Sequence, residues 1–569
     1  MPLQREKHPK QPRNPASTQD RRTFLRTAAS LTASGVAVGA IGGLVPPRVN
    51  ASRPEPLSET AHALGDAEKR AEKSLEIKRN SALRNRNEPL PHHADNGDED
   101  RHPNRIANFT KGLPHNEIGV VAVPAYDTLL NAIRSGKPGI FETIPLGGTV
   151  RLVNPQAGLA FDLEGMDSHQ TVLKPPPPFA SAERASEAVE CYWMSLLRDV
   201  NFSAYRKSDA VLVACKELSG LSDFRGPKVS GRVTPETLFR GFTHGDSVGP
   251  FISQFLLHTL DYGALHVPQK IDTYLPRTDH LTDLDSWLAV QNGHGPLAVS
   301  RIDPRPRHIR NGRDLSAYVH ADQAYQAFFN ATLFFAHGKL PANPGSPYRT
   351  LKTQAAFATF GIPHMQAMLG VVSGCALRAV WYHKWFVHRT LRPEEFGGRL
   401  HFTLVNQMNY PIHRDVLNSR AVAKVQSERG TCLLPQAFPE GCPQHPSYAQ
   451  GHATVAGACA TLLKAFLDEK HPLEHLLEIA EPSEDGLRLE SYEGTDATQM
   501  TIGSELDKLA GNIAAGRNFA GIHWRSDYVE GLLLGEAVAI AVLRDQRQTF
   551  SEDFHGLTFT KFDGNVVTV

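Results

Sequence analysis

The sequence predicts an all-α protein. Apolar residues recur at helical spacing in 186–200 (SEAVECYWMSLLRDV), 249–263 (GPFISQFLLHTLDYG) and 323–338 (QAYQAFFNATLFFAHG). Three further strong helices are expected over 354–391, 452–470 and 522–546. Pro/Gly loops separate these stretches, and few runs alternate as strands do. Elements of this kind bury their apolar stripes against each other, so the chain reads as packed helical bundles. It carries no internal repeat at a fixed period.

The first 51 residues read as a targeting segment. TQDRRTFLRT at 18–27 places Arg21 and Arg22 before Phe24 and Leu25, and an Ala/Gly/Val-rich stretch follows from Ala28 to Val45. This resembles a bacterial twin-arginine signal, with cleavage expected near Val49-Asn50-Ala51 and a periplasmic or extracellular destination. A membrane anchor is the alternative, but the stretch contains Ser, Thr and several Gly and barely reaches the length of about 18 residues that a span needs. A charged arm is expected over 52–115, with one polar helix in AEKRAEKSLEIKRNSALRNRN. The helical domain then covers 116–569.

Lys+Arg and Asp+Glu both number 60 among 569 residues. No global field attracts nucleic acid or an anionic membrane, so an anion site has to be built locally. The six cysteines, Cys191, Cys215, Cys375, Cys432, Cys442 and Cys459, show no CxxC or zinc spacing. An oxidising compartment would permit Cys432 and Cys442, which share a Pro/Gly-rich loop, to pair.

Basic residues cluster in three segments of the C-terminal third. The first, WYHKWFVHRTLRPE (381–394), closes a long apolar helix. Pro393 disfavours helix at Arg392, and on a continuous helix Lys384 and Arg392 would stand roughly 12 Å apart along the axis. The second, HPSYAQGHA (445–453), puts Gly451 and His452 at a helix start, where free N–H groups attract anions and a glycine lets a ligand come close. The third, GRNFAGIHWRSD (516–527), places His523 and Asp527 four residues apart on one helix face. That carboxylate can accept from one imidazole nitrogen and leave the other as a metal ligand. Gly521 breaks the preceding helix and lets Arg517 turn back toward His523.

Taken in order, K-x7-RP (384–393), HPSYAQGH (445–452) and R-x5-H-x3-D (517–527) resemble the signature of vanadium-dependent haloperoxidases and the related type 2 acid phosphatases. The resemblance implies a large helical domain of two packed four-helix bundles, with the site inside 384–527. It implies that Lys384, Arg392 and Arg517 neutralise vanadate oxygens, that the Gly451 N–H donates to one, and that His523 binds vanadium, supported by Asp527. His452 would be the acid–base residue, since an imidazole of ordinary pKa, about 6.5, can hold or release the proton that peroxide loses. Vanadate would act as a Lewis acid toward hydrogen peroxide, so that halide attacks an activated oxygen and a small organic acceptor is halogenated. The eight-residue step from Lys384 to Arg392, and His445 where the chloroperoxidase branch has an aromatic residue, match the bromoperoxidase branch and point to bromide or iodide. A homodimer is a further expectation by analogy.

One position departs from the pattern. Gln450 stands where the family has a serine that donates to the oxyanion, and Ser447 is the nearest other hydroxyl, three residues earlier. The Gln450 amide is expected to donate in its place, with altered activity. A periplasmic acid phosphatase using the same cradle, or a relative that has lost catalysis, are the competing readings. Against the phosphatase stand K-x7-R in place of K-x6-R, the missing serine and His445.

Overall fold

The computed structural model describes residues 66–336 and 340–569. The twin-arginine stretch and its expected cleavage point lie outside the described residues. Residues 71–569 form one unit, and the account below concerns that unit.

It is largely helical, as expected. The helices of eight residues or more are α1 (Ala67–Asn87), α2 (Val123–Ser135), α3 (Ala182–Leu196), α4 (Asp209–Gly220), α5 (Leu284–Gln291), α6 (Gly312–Ala321), α7 (Gln326–Leu333), α8 (Ile362–Tyr382), α9 (Pro393–Leu404), α10 (Arg420–Arg429), α11 (Gly451–Phe466), α12 (Ile502–Phe519) and α13 (Arg525–Arg547). The strands among the described residues form three small antiparallel hairpins, Leu260–Tyr262 with Leu265–Val267, Ala480–Pro482 with Leu489–Ser491, and Thr558–Thr560 with Val566–Thr568. No described helix is long and apolar enough to cross a membrane.

The core centres on α11. Every residue of this helix except His452 is buried, and its sequence GHATVAGACATLLKAF is apolar nearly all round, which suits a helix enclosed on all sides. It packs against α8, α12 and α13. Its approach to α13 is closest where side chains are smallest: a Cβ on Gly457 would lie 2.2 Å from the Leu532 carbonyl oxygen, and one on Gly535 2.0 Å from that of Thr454. Substitution at either glycine forces the helices apart.

Three expectations need correction. Residues 249–263 are not a helix: Gly249 has φ +70°, and the chain makes only a short turn at Gln254–Leu256 before a strand. The backbone bonds go outward instead, Ser253 N–H to Asn512 Oδ1 (2.7 Å) and Gln254 N–H to Glu505 Oε1 (2.5 Å), so α12 side chains replace the helical ladder. Cys432 and Cys442 do not pair; all six cysteines are free and buried. They face different neighbours, the Cys432 N–H donating to His401 Nδ1 (3.2 Å) and Cys442 Sγ lying 3.6 Å from Lys111 Nζ. Lys384 and Arg392 do not share a helix. The segment His383–His388 is one turn of π-helix, Arg389 then adopts φ 42°, ψ 39°, and the chain reverses before α9.

Candidate active site

The reversal after α8 decides what the first basic segment can do. Pro393 opens α9 and keeps Arg392 extended, with φ −90° and ψ 157°. Arg389 is clamped in its left-handed conformation by Glu99, which takes Nε at 2.9 Å and an NH2 bond at 2.7 Å. Glu395 accepts the Arg392 N–H (2.8 Å) through one oxygen and the Thr110 N–H (2.8 Å) through the other. The polar arm expected over 52–115 thus supplies, through Glu99 and Thr110, part of the wall behind Arg392.

Asp527 sits in the first turn of α13, whereas His523 stands two residues before that helix and not on its face as expected, after a turn that needs Gly521 at φ +83°. Asp527 Oδ2 accepts from His523 Nδ1 (2.7 Å), from the Trp524 N–H (3.1 Å) and from Ser447 Oγ. With Nδ1 donating, Nε2 keeps its lone pair, and Arg392 NH1 donates to it at 2.8 Å. Burial, then the nearby Arg392, Lys384 and Arg517, hold the His523 ring well below its ordinary pKa. The ring is neutral, and the Nε2 lone pair that now accepts from Arg392 is the one an electrophile would take.

The structure brings the three cations to this ring. Lys384 and Arg392 are wholly buried and Arg517 nearly so. Lys384 Nζ donates to the carbonyls of Pro446 (2.7 Å) and Ser447 (2.6 Å). Arg392 donates to the carbonyls of Ile522 (2.9 Å) and His445 (2.9 Å), and Arg517 NH1 to that of Val319 (2.8 Å). None of the three pairs with a carboxylate, and the buried Nε of Arg517 has no partner at all. Desolvation, then repulsion from Arg392, pushes the Lys384 ammonium well below its usual pKa, and burial lowers Arg517 to about 10. Three buried cationic groups with no carboxylate in contact make the site a receptor for an anion of more than one charge.

A cavity of about 280 Å³ opens beside them, lined by Asp322, Ala324, Leu377, Trp381, Pro443, His445, Gly451, His452, Val455, Arg517 and His523. Gly451 is the first residue of α11. His452 is the half-open member, its side chain about 32% exposed, with Nε2 3.0 Å from Asp322 Oδ1. His445 is buried against Trp381, ring centroids 4.7 Å apart, and its Nδ1 lies 3.0 Å from Arg392 NH2. Burial and the Arg392 charge keep it neutral. A larger cleft of about 620 Å³ lies elsewhere, around Phe202, Arg206, Arg310 and Tyr492, but Arg206 and Arg310 there already pair with Glu236 and Asp314.

Gln450 is the site residue whose expected role fails. Its Nε2 donates to the Ala514 carbonyl of α12 at 2.9 Å, and it does not line the cavity. The long side chain reaches a helix carbonyl that a serine could not. Asp322 is the residue that sequence reasoning missed: it stands 130 positions before His452, in a stretch with no motif. Trp381 was visible in the first segment but carried no assigned role.

Comparison with known proteins places the chain in a family. Residues 364–552 match the model of the VCPO second helical-bundle domain. The chain is 35% identical over 485 residues to a vanadium-dependent bromoperoxidase of Ascophyllum nodosum, spanning 81% of this chain and 86% of that one. It is 32% identical over 560 residues to a vanadium-dependent bromoperoxidase of Corallina officinalis, spanning 84% and 92%. In three dimensions it resembles the homohexameric structure of the second vanadate-dependent bromoperoxidase of Ascophyllum nodosum, with a TM-score of 0.83, 30% identity and 95% of each chain covered. At 35% and 32% identity over more than four fifths of its length, the chain belongs to the vanadium-dependent haloperoxidase family.

Proposed function

We propose that this protein is a vanadate-dependent bromoperoxidase, oxidising bromide or iodide with hydrogen peroxide to a hypohalous-acid equivalent that halogenates small organic acceptors. The observation that carries the reading is the set of three buried, carboxylate-free cations around a neutral His523. Vanadate fits this donor set: it is multiply anionic, it accepts hydrogen bonds on every oxygen, and its metal takes an imidazole nitrogen. When bound it supplies a Lewis acid that polarises peroxide.

The protein's own residues do the rest. His523 Nε2 would hold the metal, and Asp527 fixes its tautomer and orientation. Arg392, Lys384 and Arg517 hold the oxyanion, each charge-assisted hydrogen bond contributing roughly 1.5–3 kcal/mol. Gly451 offers a backbone N–H at the start of α11, where the helix dipole also favours negative charge. His452, half-open at the cavity and held by Asp322, would take up or give back a proton there as the acid–base residue. His445 and Trp381 line the same cavity.

The bundle formed by α8, α11, α12 and α13 is one of two four-helix bundles in the domain of residues 116–569. Residues 1–51 direct export by the bacterial twin-arginine route to the periplasm or beyond, and the chain works as a homo-oligomer. A dimer is the simplest form, although the structural relative from Ascophyllum nodosum is homohexameric. The test of function compares two assays on vanadate-loaded protein: bromination of a phenol dye with peroxide, and release of p-nitrophenol from its phosphate ester. Bromination without ester cleavage supports the reading; ester cleavage without bromination overturns it.

A further inference from the structure

We propose that Ser447 is a positioning residue of the anion site: its hydroxyl fixes Asp527, and through Asp527 the His523 ring, in a loop where Gln450 has withdrawn from the site. This inference rests on the reading of His523 as the vanadate ligand.

Ser447 is wholly buried, and each of its polar groups is tied to a different part of the site. Its N–H donates to the Thr390 carbonyl (3.0 Å). Its carbonyl accepts from Lys384 Nζ (2.6 Å). Its Oγ donates to Asp527 Oδ2 and lies 3.5 Å from His523 Nδ1. One residue thus joins the first basic segment to the third.

The bond to Asp527 matters because the carboxylate is held on one side only. Oδ2 takes three donors, Ser447 Oγ, His523 Nδ1 and the Trp524 N–H, while Oδ1 is buried without a partner. The latter two donors both come from the two residues just before α13, so Ser447 is the one that anchors the carboxylate to another part of the chain. Without it the carboxylate can turn to present either oxygen, and the imidazole loses its fixed plane. No other side chain of the loop takes this place. Gln450 is bound to the Ala514 carbonyl, and the Tyr448 hydroxyl donates to the Lys174 carbonyl. With Gln450 standing where the family pattern has a serine, the hydroxyl of this loop that reaches the site is that of Ser447, on Asp527.

The experiment titrates wild-type apoprotein, Ser447→Ala, Ser447→Thr and Ser447→Cys with orthovanadate by calorimetry. It records the vanadium NMR signal of each bound form, the KM for peroxide and kcat, and checks folding by circular dichroism. Ser447→Ala is expected to bind vanadate roughly tenfold more weakly and to shift the vanadium resonance, whereas Ser447→Thr, which keeps the hydroxyl, binds as wild type does. Ser447→Cys, a weak donor of similar size, falls between them. Equal affinity in Ser447→Ala and Ser447→Thr overturns the proposal. If Ser447→Ala does not fold, Ser447→Cys against Ser447→Thr decides on the same criterion. A wild-type protein that binds no vanadate would overturn the function proposed above, a result distinct from wild-type binding that is unmoved by loss of the hydroxyl.

Discussion

Two groups of buried cations can be compared within this one chain. Arg184, Arg198, Arg313 and Arg525 each have a carboxylate in contact, Glu187 at 2.8 Å, Asp279 at 2.6 Å, Asp199 at 2.5 Å and Glu190. Lys384, Arg392 and Arg517 are as deeply buried and have backbone carbonyls and imidazoles instead. Among the described residues Arg399 is the one other such buried arginine, and it lies beside Glu395, whose charge it stabilises. The paired group holds the fold together. The unpaired group costs the folded apoprotein stability, because charges of one sign are concentrated away from water, and the cost is recovered only when an anion arrives. The location of the missing carboxylates is therefore the location of the ligand.

The largest effect that can break this comparison is on the paired side. Arg198→Met takes away one of the three arginines that hold Asp279 and leaves the buried carbonyls of Phe519 and Pro435 without their donor, and it is expected to lower unfolding free energy by about 3–5 kcal/mol while vanadate affinity stays unchanged. Denaturant unfolding with a vanadate titration checks both halves. Arg517→Met is the converse. It is expected to weaken vanadate binding roughly 10- to 100-fold, from the loss of a bond contributing about 1.5–3 kcal/mol, without lowering the stability of the apoprotein. A Tm drop like that of Arg198→Met would erase the distinction.

Acidification sharpens the same contrast with neutral bases. Burial, and for His115 the neighbouring Arg399, lowers both His115 and His383 to about 3. Their folded pKa lies below the unfolded value of about 6.5, so below that pH the unfolded chain binds the additional protons and stability falls. Each contributes a slope of up to about 1.4 kcal/mol per pH unit between roughly pH 6.5 and 3. Guanidinium midpoints at pH 7 and 5 should show the decline, and it should be less steep in His115→Phe. The smallest expected effect is Asp322→Asn, which frees His452 and takes one negative charge from the neighbourhood of Arg517 while leaving all three cations in place: bromination falls about tenfold and vanadate affinity changes less than threefold. Equal losses in both would place Asp322 in anion binding.

Much of the site was legible in the sequence because its parts are local. A glycine before a histidine at a helix start, and His523 within reach of Asp527, follow from spacing alone, and the helices over 186–200, 452–470 and 522–546 follow from apolar periodicity. What was not legible depends on partners far along the chain. The stretch 249–263 has helical spacing but spends its backbone bonds on Asn512 and Glu505. The turn between Lys384 and Arg392 depends on Glu99, nearly 300 positions earlier. Gln450 has the chemistry of a donor, and only the packing of α12 shows that Ala514 has claimed it. Asp322 offered no signal, since an aspartate in a loop carries meaning only beside His452.

The most direct test of the central claim is a calorimetric titration of the apoprotein with orthovanadate, run on wild type and on a His523→Ala, Arg517→Met double variant. The account predicts one vanadate bound per wild-type chain, displaced by excess phosphate, and no measurable binding in the variant. Binding of equal strength in both proteins would contradict it.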